Sequence, residues 1–207
     1  MPQIIECEQN SPEWYAARAG IPTASEYATI MAKGRGGDES KTRRTYLLKL
    51  AGEVLTGVPT EGYSNAHMER GHAMEEEVRA AYQFETGNEP DQVGFIRSGD
   101  TGCSPDSLIG KSGMLEIKTK LPHLLIDCLL KDNFPPEHRA QCQGALWVAE
   151  REWIDIAVYW PGLPLFVKRA HRDEEYINQI ASAVAQFNEE LAEIVAKVRN
   201  YGMRVAA

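Results

Sequence analysis

The sequence predicts an α/β fold, a mixed central β-sheet flanked by α-helices. Two observations predict it. Short apolar runs broken by Gly and Ser turns occupy the middle of the chain from Val93 to Thr119, and similar runs return at Trp153 to Tyr159 and Leu165 to Arg169. Segments with apolar residues at helical spacing come before, between and after those runs, so helices are available to cover the sheet.

The elements follow in order. Thr23-Ala-Ser-Glu26 has the spacing of a capping box and predicts a helix to about Ala32, stopped by Gly34 and Gly36. The polar stretch Lys33 to Ser40 reads as a mobile loop. Leu47, Leu48, Ala51, Val54 and Leu55 then predict an amphipathic helix ending at Gly57. Asn65 caps a longer one, with Ala73, Met74, Val78, Ala81 and Tyr82 on one side and acids on the other, ending at Gly87. Val93 to Ile96, Leu108 to Ile109 and Met114 to Thr119 read as adjacent antiparallel strands. Helices are expected over His123 to Leu130 and Glu137 to Val148. Pro161-Gly162 turns between the two later strands, and a last helix runs from Asp173 to about Arg199.

The chain has 207 residues, 43% hydrophobic and 25% charged, which fits one domain spanning 1–207. No apolar run approaches the ~20 residues of a membrane span, and the start is polar and acidic, so a cytoplasmic protein is expected. Cys7, Cys103, Cys128 and Cys142 are widely spaced, which disfavours a zinc cluster or a disulfide framework and favours free thiols. A formal net charge of -8 argues against coating nucleic acid by bulk attraction. Any DNA contact must come from a local arrangement of cations.

The segment that points to chemistry is Ser104-Pro-Asp106, a hairpin at Gly110 to Gly113, then Leu115-Glu-Ile-Lys118. Side chains alternate on a strand, so Glu116 and Lys118 share a face with Cα atoms about 6.6 Å apart, while Leu115 and Ile117 face the core. Pairing across the hairpin brings Asp106 to Glu116. Two acids can then grip a hard cation such as Mg2+, with Mn2+ as a substitute, and Lys118 can orient an attacking water or offset charge on a phosphorane. A solvated hairpin with a surface ion pair is the plainer reading of the same residues.

The order Pro-Asp, spacer, Glu-x-Lys resembles the PD-(D/E)xK signature of the restriction-endonuclease-like nucleases. Trp14, Arg18, Gly20 and Thr23-Ala-Ser-Glu26, then Gly71 with Glu75, Cys103-Ser-Pro-Asp106, Leu115-Glu-Ile-Lys118 and Gln141-x-Gln143 with Trp147 resemble, in order, the motifs of the phage lambda exonuclease family, the YqaJ-type viral recombinases. The resemblance implies a restriction-endonuclease-like core and metal ligation by Glu75, Asp106, Glu116 and the backbone carbonyl of Ile117. It also implies that Lys118 serves the nucleophile, that Gln143 lies beside a reacting or metal-bound water, and that Arg18, Ser25 and Ser104 hold the 5′-phosphate. The activity so implied is 5′-to-3′ digestion of one strand from a double-stranded DNA end to mononucleotides, leaving a 3′ tail. A homotrimeric ring and a single-strand annealing partner for recombination are implied as well. After Lys118, Thr119-Lys-Leu-Pro122 departs from the family's usual cysteine- or serine-proline step.

Taken singly, several of these residues have plainer roles. Arg18 can be a surface ion-pair partner, Ser25 a helix cap, and Glu75 one of a solvated acidic run. His67 and His72 are badly spaced for one helical face and suggest no metal site. Trp147 and Trp153 read as core. Lys41, Arg43 and Arg44 suit either a solvated helix start or contact with the DNA backbone. Two rivals to the exonuclease remain: an endonuclease or junction resolvase on the same core, and a non-catalytic DNA-end-binding subunit.

Overall fold

The computed structural model describes residues 1–34, 36, 40–60 and 66–202, the side chains of 66–71 excepted. Much of the loop expected over Lys33 to Ser40, and the expected Asn65 cap, lie outside the described residues. In chain order come β1 (Gln3–Ile5), α1 (Pro12–Arg18), a 3-10 turn at Ala24–Glu26, α2 (Tyr27–Met31), α3 (Lys41–Thr56) and α4 (Ala66–Thr86). Then follow β2 (Pro90–Asp91), β3 (Phe95–Ser98), β4 (Thr101–Cys103), β5 (Ser107–Ile109), β6 (Gly113–Thr119) and α5 (Pro122–Lys131). A 3-10 turn at Pro136–His138, α6 (Arg139–Ala149), β7 (Trp153–Tyr159), β8 (Phe166–His171) and α7 (Glu174–Arg199) complete the chain. None of the described helices is long and apolar enough to cross a membrane.

The strands form two sheets rather than one meander. The larger has the order β2-β5-β6-β7-β8, with β6 and β7 parallel and the other pairs antiparallel. The smaller has the order β1-β3-β4, all antiparallel. The apolar runs expected to be neighbours between Val93 and Thr119 are therefore divided: Phe95–Ser98 pairs with the N-terminal strand, while β5 and β6 form the hairpin.

Helices cover both faces of the larger sheet. On β6, Leu115 and Ile117 pack with Ala157 and Tyr159 of β7 against Val78 and Tyr82 of α4. Met114 and Ile154 point the other way, into the main core with Leu146 of α6 and Ile180, Val184 and Phe187 of α7. Ile156 and Val158 meet Leu125 of α5. Because the side-chain period is two, Glu116 and Lys118 follow Met114 to the α6 side. Burying several such side chains, at roughly 1.5–3 kcal/mol each, specifies that register, since a one-residue slip would exchange the two faces.

Local chemistry explains the helix ends. Ser40 caps α3 by accepting from the Arg43 N–H, and Gly57 ends it at φ 69°. Asp173 caps α7 by accepting from the Tyr176 N–H. The α3 stripe is narrower than its apolar pattern suggests: Leu47, Leu50 and Ala51 are buried, but Leu48 and Val54 are exposed. At Thr23 the chain enters a 3-10 turn before α2, and the threonine makes no side-chain capping bond. Gly144 lets α6 lie directly on Tyr27, where a Cβ would come within 2.2 Å of the ring. That contact holds α6 against the segment carrying Thr23 and Ser25.

Candidate active site

The β5–β6 hairpin assembles the acid and amine group. Ser107 is opposite Leu115, so Asp106, one residue before β5, falls opposite Glu116. The Asp106 N–H donates to the Leu115 carbonyl at 3.1 Å, and its carboxylate accepts from the Ile117 N–H at 2.5 Å. Glu116 is 3% exposed. Its Oε1 lies 2.7 Å from Lys118 Nζ and also accepts from the Gln141 amide of α6. Burial first, then the Glu116 charge, pushes the Asp106 carboxyl well above the ordinary carboxylate range, against an opposing pull from Lys118. Burial pushes the Lys118 ammonium down, but Glu116 and Asp106 more than reverse this and hold it charged.

Beside this group lies a cavity of about 120 Å³ lined by Arg18, Ser25 and Ser104 together with Thr23, Glu116 and Gln141. Each cationic or hydroxyl group in it is aimed by a neighbour. The Arg18 guanidinium, last in α1, stacks 3.8 Å over the Trp14 ring and donates to Thr23 Oγ1 at 3.4 Å. Thr23 and Ser25 hydroxyls are 3.2 Å apart, and Trp14 Nε1 donates to Ser104 Oγ at 2.9 Å. Thr23, read as a helix cap, thus turns its hydroxyl toward Arg18 instead. Gly20 sets the bend between Arg18 and Thr23 at φ 74°, its N–H held by buried Glu53 at 2.8 Å. The cavity adjoins a cleft of about 910 Å³ that Tyr46, Lys49 and His72 also line.

Asp106, Glu116, Lys118, Arg18, Ser25 and Ser104 are therefore gathered at one place. One expected member is not. Gln143 is 4% exposed and spent elsewhere, donating to the His171 carbonyl at 2.8 Å and accepting from the Asp173 N–H at 2.8 Å. It clasps α6 to the β8–α7 junction, and Gln141 is the amide at the carboxylates. Glu75 is held on α4 by His72 Nδ1 at 2.7 Å and Arg79 at 3.4 Å, although its charge still reaches Asp106.

Of the other candidates, Arg43 forks onto Glu190 of α7 at 2.7 and 2.9 Å, a structural tie between helices. Trp147 packs on the main core and Trp153 beneath Arg169, as core readings require. Thr23 and Gln141 belong to quoted motifs, but only the fold shows that their side chains line the cavity.

Among the described residues, no three His, Cys, Asp or Glu side chains are gathered tightly enough to hold a metal ion. The donor chemistry nevertheless suits a hard cation. A buried carboxylate, Glu116, and a half-buried one, Asp106, face each other, and the proton affinity this forces on Asp106 is what a divalent ion would relieve.

Comparison with known proteins places this geometry. The profile of the YqaJ-like viral recombinase domain matches residues 13–152. The fold is similar to an alkaline exonuclease, LHK-Exo, from Laribacter hongkongensis, at 32% identity and TM-score 0.84, covering 95% of this chain and 100% of that one. The same enzyme in complex with dAMP matches at 33% identity and TM-score 0.85 over the same shares. A phage-related exonuclease from Haemophilus somnus 129PT shares the fold at 13% identity and TM-score 0.66, over 86% of this chain and 96% of that one. No curated protein matches significantly. The mixed sheet with its β5–β6 hairpin is a restriction-endonuclease-like core. With more than half of its length matched to one family profile, and with a structural relative above 30% identity over nearly all of both chains, the chain belongs to the YqaJ-like viral recombinase family.

Proposed function

We propose that this chain is a Mg2+-dependent exonuclease that degrades one strand of double-stranded DNA 5′ to 3′ from a phosphorylated end. It releases mononucleotides and leaves a 3′ tail for annealing-driven recombination. The observation that carries this reading is the small cavity in which Arg18, Ser25 and Ser104 stand beside Glu116. A guanidinium and hydroxyls are phosphate donors, and a small cavity lined by them recognises a terminal phosphate rather than a sequence. The similarity to an exonuclease seen with dAMP, a mononucleotide, agrees with mononucleotide release.

The residues divide the work. Arg18, Ser25 and Ser104 hold the terminal phosphate, and Thr23 orients the guanidinium. Asp106, Glu116 and the Ile117 carbonyl would hold the cation, and Glu75, whose charge reaches Asp106, would be a further ligand. In that position a divalent cation would supply an activated water and offset charge on the scissile phosphate. Lys118 is charged beside the carboxylates, so it acts by orienting the water and offsetting transition-state charge. Gln141 fixes the Glu116 carboxylate. A homotrimeric ring would keep an acidic chain on DNA by topology, and a single-strand annealing protein would take the tail.

The test uses linear duplex with 5′-phosphate or 5′-hydroxyl ends and a covalently closed circle, each with Mg2+ or chelator. Mononucleotide release from the phosphorylated linear duplex, with metal only, is expected. Cutting of the circle would identify an endonuclease or resolvase, and a gel shift without release would identify a binding subunit.

A further inference from the structure

Gln9 lies between β1 and α1 and lines both the small cavity and the wider cleft. Its side-chain amide donates twice, to the Val93 carbonyl at 2.9 Å and to the Pro105 carbonyl at 3.1 Å. Both acceptors belong to buried residues far away in the chain. Gly94 makes the reach possible, because a Cβ there would come within 2.3 Å of the Cys7 carbonyl and push the incoming segment off.

Pro105 stands between Ser104, which lines the cavity, and Asp106, at the carboxylates. A proline has no N–H, so its backbone can be anchored only through its carbonyl. Continued beyond Ser107 and Leu115, the hairpin register sets Pro105 opposite Ile117, yet the Ile117 N–H turns to the Asp106 carboxylate at 2.5 Å. The carbonyl that the ladder leaves is the one Gln9 takes. Without a donor it would cost roughly 1–3 kcal/mol. The neighbours of Pro105 are tied to different elements: Ser104 Oγ accepts from Trp14 of α1, and the Asp106 N–H donates to Leu115 of β6. Gln9 holds the peptide between them.

We propose that Gln9 is a positioning residue that keeps Ser104 and Asp106 in register with each other, and so couples the phosphate cavity to the proposed metal site. This rests on the exonuclease reading above.

Gln9→Met keeps the length of the side chain and removes both donors, whereas Gln9→Ala removes the bulk as well. Arg151→Ala is the control, since Arg151 donates to the Gly110 and Gly113 carbonyls at the far end of the same hairpin. Two readouts need no turnover: the Mg2+ concentration that half-saturates the rise in melting temperature, and the ratio of affinities for 5′-phosphate and 5′-hydroxyl duplex, by anisotropy in chelator. Both Gln9 variants should raise the Mg2+ midpoint about tenfold, the lower end of what losing a partner behind a metal ligand costs. Both should also narrow the affinity ratio by about threefold. Arg151→Ala should lower the melting temperature alone. Gln9 variants with both readouts within about twofold of the wild type, or no better than Arg151→Ala at moving them, overturn the proposal. So does a shift in one readout without the other, an effect of Ala that Met does not share, or a Gln9→Met chain that no longer melts cooperatively. A wild type that Mg2+ does not stabilise, or that binds both ends alike, overturns the exonuclease reading and this inference together.

Discussion

Asp155 and Glu116 are buried acids on the two parallel strands at the centre of the larger sheet, 2% and 3% exposed. They are one register step apart, Leu115 opposite Asp155 and Glu116 opposite Ile156, and they point to opposite faces. Asp155 is saturated: Arg169 forks onto it at 2.8 and 2.9 Å, and the Tyr82 hydroxyl donates at 2.6 Å. At Glu116, Lys118 and Gln141 both engage Oε1, and a second acid, Asp106, crowds it across the hairpin. Similar burial therefore has different consequences. A bidentate partner makes an acid part of the scaffold, whereas an acid facing another acid is held in an arrangement that a cation improves.

The comparison is broken most directly at Lys118. Lys118→Ala should lower kcat roughly 10³-fold, because its charge acts on charge that appears in the transition state, and should leave duplex binding in chelator largely intact. Steady-state rates and anisotropy on the same preparation check both. Loss of binding equal to the loss of rate would make Lys118 a binding residue.

The opposite face should respond in stability and not in rate. Arg169→Ala leaves Asp155 buried with, among the described residues, only the Tyr82 hydroxyl on it, at a cost of about 3 kcal/mol, seen as a lower urea midpoint. The rate per folded molecule should not change. If it falls with stability unaltered, the scaffold reading of this pair is wrong.

These two faces differed in how far sequence disclosed them. The hairpin was legible because strand alternation and the Gly110 to Gly113 turn are local, and they alone bring Asp106, Glu116 and Lys118 together. The Asp155–Arg169–Tyr82 network joins two strands and a helix, so no local pattern contains it. Gln141 and Gln143 show the limit within one motif. Residues two apart on a helix point about 200° apart, so only one could face the carboxylates, and packing on Tyr27 through Gly144 decides which. The small sheet was missed because β1 and β4 are three residues long, too short for a period, and form through the distant pairing of Gln3 with Arg97. The Thr23 capping spacing does precede a helix, but the helix begins only at Tyr27, after a 3-10 turn, and Thr23 does not cap it. Its hydroxyl was drawn away by Arg18, a partner that local spacing does not show.

A smaller effect tests the phosphate cavity. Arg18→Ala should narrow the rate ratio between 5′-phosphate and 5′-hydroxyl ends by about tenfold, the worth of one charge-assisted contact. The two substrates competing in one reaction give this ratio directly. An unchanged ratio removes Arg18 from end recognition.

The smallest effect returns to the crowded acids. Asp106 has its folded-state pKa raised by burial and by Glu116. An acid shifted this way favours the fold while protonated. That contribution is fully present below its unfolded pKa and is lost as pH rises through the folded one. Asp106→Asn cannot ionise, yet keeps an oxygen for the Ile117 N–H. In chelator the variant and the wild type should melt together near pH 4, and the variant should melt higher toward pH 8, by roughly 2–4 °C for ~1 kcal/mol in a domain this size. Mg2+ should close the gap by raising the wild type alone, since a cation relieves the repulsion that the substitution removes. A wild type that melts at or above the variant at pH 8 in chelator would mean that the ammonium of Lys118 already balances both carboxylates. The electrostatic case for a metal at this site would then be lost.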